Sequence, residues 1–337
     1  MSLLVFHKLL AIFVTVALGW IAGRLRWLGE GTPGSDPART LANAAFYIFV
    51  PALLFRTTAR LDPSQMPWAS IVAFFVPVVL MLLAVYGVLR WRVRGQPAGD
   101  DLAAHERAVA SPSTRAIAAT FGNSLQVGVP LAAGLFGEKG LAIHIALISL
   151  HALILLSVLT ALVEMDLARA RARHEATAGL LKTLRATVRN TLIHPVVLPV
   201  LAGLAWNATD WPLPGPLDET LALLGTAVAP MCLVLIGLSL AYGGIGNRFK
   251  GAMAISLLKL IALPALVLAV AKGGFGLAGL PLQVVVMMAA LPTGSNALIF
   301  AQRYRSQEAE ATTTIVVSTF SFVFTAPLWL MVLGALA

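Results

Sequence analysis

This sequence carries little charge. Of its 337 residues only 12% are Asp, Glu, Lys or Arg, while 58% are hydrophobic and the mean hydropathy is +0.86. A soluble globular chain carries about 25% charge, so an ordinary soluble domain is excluded and the composition is that of an integral membrane protein. Cysteine is nearly absent. The single Cys232, inside an apolar run, rules out an intramolecular disulfide and suggests no Cys-based metal site. Clustered carboxylates are missing too: the only Asp-Asp pair, Asp100–Asp101, stands alone in a loop, whereas a prenyl or lipid transferase needs metal-binding carboxylates at the membrane edge. No GxxxxGK[ST] loop occurs, which argues against an ATP-driven pump, and no cofactor is expected. The net charge of +9 and pI near 10.3 do not point to nucleic acid, because the basic residues fall in short loops between apolar segments and so report orientation instead.

What the chain does have is apolar segments. At about 20 residues per span ten are legible, near 5–23, 40–55, 68–90, 115–136, 140–163, 192–208, 218–242, 250–271, 279–302 and 310–335. The first is followed by "GRLRWLG" and not by a small-residue cleavage site, so it reads as a retained helix. The longest polar connections, near 91–114 and 164–190, are Arg-rich and too short for further domains. Most of the 24 Lys and Arg lie in the loops after odd-numbered segments, including Arg24, Arg26, Arg90, Arg92, Arg169, Arg171 and Arg303. The positive-inside rule makes those loops cytoplasmic and places both termini on the outer side. The seven tryptophans sit near predicted segment ends, as an interfacial belt would, and no chemistry is assigned to them.

Ten spans with both ends on one side divide into two halves of five, and an odd-numbered repeat inverts in the membrane. Prolines recur at matching places: Pro51 and Pro230 in segments two and seven, Pro77 and Pro264 in three and eight, Pro130 and Pro292 in four and nine. The expected organisation is a first repeat at 1–163, a cytoplasmic linker at 164–190 and a second repeat at 191–337. Segments four and nine are also the polar ones. Segment four gathers Gly122, Asn123, Ser124, Gln126, Gly128 and Pro130; segment nine gathers Pro292, Thr293, Gly294, Ser295 and Asn296. Proline removes a backbone donor and glycine loosens the turn. Backbone freed in this way cannot face lipid, so it is either buried in protein or lines an aqueous cavity. Broken helices at matching places in inverted halves are the sequence pointer to a transporter's binding site, and the helix N-termini they create favour an anion.

The stretches "NSLQVGVPLAAGLFG", "ALPTGSNALIFAQRY", "FYIFVPALLF" and "HPVVLPVLAGLAWN" resemble the signature regions of the auxin efflux carrier family, the bacterial relatives of the plant PIN auxin transporters, along the whole chain. The resemblance implies an all-α, ten-helix fold with two inverted repeats and crossing broken helices four and nine, as in sodium/proton antiporters and bile-acid transporters. It further implies a scaffold from helices one, two, six and seven, often dimeric, and a moving transport domain from three to five and eight to ten. The expected location is a bacterial inner membrane, and the expected substrate a small carboxylate such as malonate, malate or an auxin-like acid. By motif, Asn123 and Pro130 fall on the first break and Pro292 and Asn296 on the second. Two departures stand out: "IHP" at Ile193–Pro195, where the family usually has Asn-Pro, and the absence of the long cytoplasmic loop of the plant proteins.

Other polar residues at bilayer depth complete the candidate site. Lys259, about ten residues into segment eight, is either a partner for the substrate carboxylate or a support for carbonyls freed beside Pro264 and Pro292. His144 and His151, two turns apart on one face, are candidates for proton coupling. Gln126, Thr293 and Ser295 belong to the substrate group, and Asn43 reaches toward it from segment two, although Asn43 and Gln126 equally suit helix-to-helix hydrogen bonding. A membrane sensor that binds the anion without moving it, a channel, and a proton- or sodium-coupled symporter of the bile-acid type remain open alternatives.

Overall fold

A computed structural model describes residues 3–29, 37–60, 66–93, 101–174, 193, 195, 197–243 and 249–336. Among them there are helices and no strands. The helices are α1 (Leu3–Arg24), α2 (Pro37–Ala59), α3 (Trp68–Val93), α4 (Leu102–Thr120), α5 (Val129–His174), α6 (Val197–Asn207), α7 (Gly215–Gly243), α8 (Phe249–Gly274), α9 (Gly279–Ala290), α10 (Asn296–Arg303) and α11 (Glu308–Leu336). Each of the ten apolar segments contains helix among its described residues. Among the described residues six helices are long and apolar enough to cross a membrane: α2, α3, the Leu131–Arg171 part of α5, α7, α8 and α11.

Proline and glycine shape these helices as their backbones require. Pro51 and Pro264 each follow a π-helical turn, at Ala45–Phe49 and Leu258–Ala262. A proline leaves the carbonyl four residues back without its N–H partner. For Pro264 that carbonyl is Leu260, and the Trp329 indole Nε1–H donates to it at 2.8 Å. Trp329 is 6% exposed, which corrects its placement in an interfacial belt: it is a buried donor satisfying an interrupted helix. By contrast Trp27, Trp91 and Trp211 are well exposed. The bend between segments four and five falls at Gly137, whose φ of 61° is open to glycine at no steric cost.

Two boundaries differ from the sequence reading. Helix α4 begins at Leu102, well before 115, so much of the polar stretch 91–114 is helix. The Asp101 carboxylate caps it by accepting from the Ala103 amide at 2.9 Å. Polar residues and Pro112 hide this turn from a hydropathy reading, yet Ser111, Pro112, Ser113 and Thr114 are buried by neighbouring helices. At the other boundary α5 runs past 164 to His174, and 175–192 lie outside the described residues.

The helices pack mostly within two groups. Helix α1 lies along α7, and α2 packs on α6 and α7; α3, α4, α5, α8, α9 and α11 pack chiefly on one another, and contacts between the groups are sparser. Glycines allow the first group its close approach: a Cβ at Gly237 would lie 2.1 Å from the Val16 carbonyl oxygen, and one at Gly19 2.3 Å from that of Val234. Helix α9 is the centre of the second group, with every residue from Val284 to Leu291 buried. Charged groups sit at the helix ends in pairs. Asp166, 4% exposed, takes Arg90 at 2.7 Å and the Tyr86 hydroxyl at 2.5 Å; Glu310, 2% exposed, takes Arg115 at 2.9 Å; Arg56 and Arg60 share Asp218. Neither buried carboxylate, Asp166 or Glu310, stands out in the sequence by itself. The arginines of the adjoining loops were the available signal for them.

Candidate substrate site

The breaks in segments four and nine meet. Helix α4 stops at Thr120, and Phe121, Gly122 and Asn123 run extended before a π-helical turn, Ser124–Gly128, leads into α5. Helix α9 stops at Ala290, and 291–295 lead into α10. The two extended pieces pair antiparallel at Gly122 and Thr293: the Asn123 amide donates to the Pro292 carbonyl at 2.7 Å and the Gly294 amide to the Phe121 carbonyl at 2.8 Å. Helix ends leave carbonyls without partners, and several of those at this junction find donors within the protein. Besides the reciprocal main-chain pair, the Thr293 hydroxyl donates to the Ala118 carbonyl at 2.8 Å and Lys259 Nζ to the Ala289 carbonyl at 2.6 Å. The Thr293 amide donates to the Ser318 hydroxyl at 3.0 Å. The pairing demands small residues: a Cβ on Gly294 would lie 2.9 Å from the Gly122 carbonyl oxygen.

Beside this junction lies a cavity of about 370 Å³, within the usual range for small-molecule sites. Asn123, Ser124, His151, Ser295 and Asn296 form its polar pole, and Leu53, Phe121, Leu125, Ile145, Ile148 and Val228 are among its apolar walls. No charged side chain lines it among the described residues. Helix α10 begins at its edge, and the Ser295 and Asn296 amides donate no backbone hydrogen bond among the described residues. Those amides and the helix dipole behind them favour a negative group.

The candidate residues divide by position. Asn123, Ser295 and Asn296 line the cavity, whereas Pro292 and Thr293 serve the junction itself. Gln126 lies in the π-helical turn and Pro130 in the first turn of α5; their side chains lie outside the described residues. Asn43 is exposed on α2 and does not line this cavity. Lys259 is fully buried, holds the C-terminal end of α9 through Ala289 and does not line the cavity. The histidines also separate. His144 Nε2 lies 3.0 Å from the Ser124 carbonyl and therefore donates to it. His151 lines the cavity, stacks on Phe121 with ring centroids 4.3 Å apart, and its Nε2 has no hydrogen-bond partner among the described residues. Sequence reasoning had Ser124 in the polar cluster of segment four but missed Phe121 as a wall residue and Cys232, whose side chain hydrogen-bonds Ser295.

On the loop side α10 ends at Arg303, whose guanidinium lies 5.3 Å from the Phe46 ring centroid and 5.4 Å from that of Tyr47, linking the two helix groups. The next residue, Tyr304, donates to Glu164 at 3.0 Å. Burial first, then the Glu164 carboxylate, push its phenol well above the ordinary value, so it stays a donor at neutral pH.

Comparison with known proteins agrees in kind. A family model described as membrane transport protein matches residues 4–330. A protein of Rhizobium meliloti named "Putative malonate transporter" is 25% identical over 97% of this chain and 96% of its own length. An uncharacterized transporter of Escherichia coli, YfdV, is 24% identical over 96% of both chains. Auxin efflux carrier component 8 of Arabidopsis thaliana is 23% identical over 87% of both.

Proposed function

The chain belongs to the membrane transport protein family that includes the auxin efflux carriers, a transporter and not an enzyme, and on that premise we propose that it is a secondary carrier of a small organic carboxylate bound where the two broken segments meet. The observation that carries this reading is the cavity beside the paired breaks: a pole of amide, hydroxyl and free helix-end N–H groups facing apolar walls, without a charged side chain among the described residues.

That chemistry selects among carboxylates. A dianion at bilayer depth needs a cation to offset its desolvation, and the cavity supplies none; Lys259 is committed to the Ala289 carbonyl. A monocarboxylate with an apolar or aromatic body matches both pole and walls, with Phe121 offering a ring face. Relatives named for malonate and for auxin stand on the two sides of that choice, and the cavity favours the second.

The mechanism we propose is alternating access. The two helix groups correspond to a scaffold (α1, α2, α6, α7) and a moving body (α3–α5, α8–α11), each drawing helices from both of two inverted repeats, 1–163 and 191–337, that the stretch 164–190 joins. Sparse contact between the groups supports relative motion. With Lys- and Arg-rich loops inside, both termini face outward from a bacterial inner membrane. The cavity walls from Asn123 to Thr57, near the outer end of α2, then run from mid-membrane outward. A homodimer through the scaffold follows from the family resemblance. We assign proton carriage alongside the anion to His151, whose Nε2 has no hydrogen-bond partner among the described residues; His144 is engaged with the Ser124 carbonyl.

The test is uptake into liposomes containing the purified protein, with labelled mono- and dicarboxylates offered with and without a pH gradient. Saturable uptake of an aromatic or branched monocarboxylate is expected, with malonate at least about tenfold poorer, the factor that corresponds to about 1.4 kcal/mol. Any stimulation by an inward proton gradient should disappear in His151→Gln. Preference for malonate over every monocarboxylate would overturn the substrate assignment, and saturable binding without uptake would make the protein a sensor.

A further inference from the structure

A second cavity of about 370 Å³ lies on the other side of Asn123, enclosed by α1, α7 and α11. Its character is different. Val16 and Trp20 of α1, Leu233 and Leu240 of α7 and Val316 of α11 are representative of its walls, and among the described lining residues only Asn123 and Thr319 are polar. Such a space offers a small hydrophilic anion nothing, but it suits hydrocarbon.

Its outer rim belongs to the surface that faces lipid. Trp20 is 45% and Phe320 56% exposed, and neighbours on the same two helices, Leu18 and Phe324, are 56% and 79% exposed. One turn beyond Trp20, at the last residue of α1, the Arg24 guanidinium lies 5.9 Å from the Trp20 ring centroid. Exposed Trp27 follows in the next turn. A cation over an indole at the end of a membrane helix is the arrangement that meets lipid headgroups, and on the Lys- and Arg-rich side those headgroups include anionic ones.

We propose that this cavity binds one acyl chain of an anionic phospholipid of the cytoplasmic leaflet, with the headgroup at Arg24 and the chain running past Trp20 between α1, α7 and α11. The charge at the rim argues for a lipid with a negative headgroup over a second copy of this chain. The walls come from both helix groups, so an occupant bridges them and favours the arrangement in which the cavity exists.

Trp20 supplies the reporter. The full-length protein is reconstituted in vesicles containing increasing fractions of dibrominated phosphatidylglycerol or dibrominated phosphatidylcholine, and the Trp20 component of fluorescence is taken as the difference between wild type and Trp20→Phe. Quenching of that component should reach half-effect at about fivefold less phosphatidylglycerol than phosphatidylcholine, the value of one basic residue at an anionic surface. Arg24→Gln should remove the preference, and Val316→Phe, which fills the cavity, should weaken quenching by both lipids. Equal quenching by the two headgroups in wild type would overturn the proposal, as would a preference that survives Arg24→Gln. Quenching untouched by Val316→Phe would mean that Trp20 meets only bulk lipid, and no quenching by either lipid would mean that another copy of the chain covers the rim; both outcomes overturn it. None of these readouts depends on what the protein transports.

Discussion

Gly294→Val is expected to bring uptake down to the background of empty liposomes and to lower thermal stability. The reason is local and steric. A Cβ at this position would sit 2.9 Å from the Gly122 carbonyl oxygen and 3.1 Å from both its carbonyl carbon and Phe121 Cδ1, and two of these three atoms are backbone that cannot rotate away. The junction must open to admit it, which strains or breaks the Gly294-to-Phe121 and Asn123-to-Pro292 hydrogen bonds. Overpacking a tight interior costs about 1–3 kcal/mol, and the same movement displaces Asn123, Ser295 and Asn296 from the cavity wall. Gly294→Ala should show the same defect in smaller measure. Gly87→Ala is the control: a Cβ there meets nothing within 4 Å, and replacing a mid-helix glycine with alanine removes a destabilisation of roughly 0.5–1 kcal/mol. Thermal unfolding in detergent together with initial uptake rates checks all three. Normal uptake by Gly294→Val would show that the junction is not held closed during transport.

The second large effect is expected at the polar pole. Asn123→Ala and Asn296→Ala should each raise the substrate concentration for half-maximal uptake about tenfold or more. Hydrogen bonds to a charged group are worth about 1.5–3 kcal/mol, and about 1.4 kcal/mol is a factor of ten. The cavity holds no cation among its described walls to take over the lost interaction. Both side chains line the cavity from opposite breaks, so a carboxylate gripped by both would couple them, and the double variant should lose less than the product of the two single losses. Half-saturation unchanged in both variants would remove the cavity as the substrate site.

Much of this was legible in the sequence, and the limits have physical causes. The apolar segments and both breaks follow from hydropathy and from the density of Pro, Gly and polar residues, because the bilayer forces each span to satisfy its own backbone. How the breaks satisfy theirs was not legible. The Thr293 hydroxyl finds the Ala118 carbonyl 175 residues away, and no local pattern encodes a contact of that range. Lys259 was visible as a buried cation with two possible tasks, and the carbonyl it meets belongs to another helix. His144 and His151 were indistinguishable by periodicity, since seven residues return to one face; about 10 Å of helix rise carries one to a carbonyl and the other to the cavity wall. The start of α4 was hidden for the opposite reason: polar residues buried against protein look, in sequence, like a loop.

The junction between the two breaks is closed by peptide groups, with glycines where they touch. Peptide groups are the same whatever the side chains, so the joint and the recognition surface beside it are separable. Ser295 and Asn296 can be exchanged for residues suited to a different guest without removing either main-chain bond of the joint. For anyone redesigning the protein, this marks 295 and 296 as the positions at which to diversify, and 122 and 294 as those to leave alone.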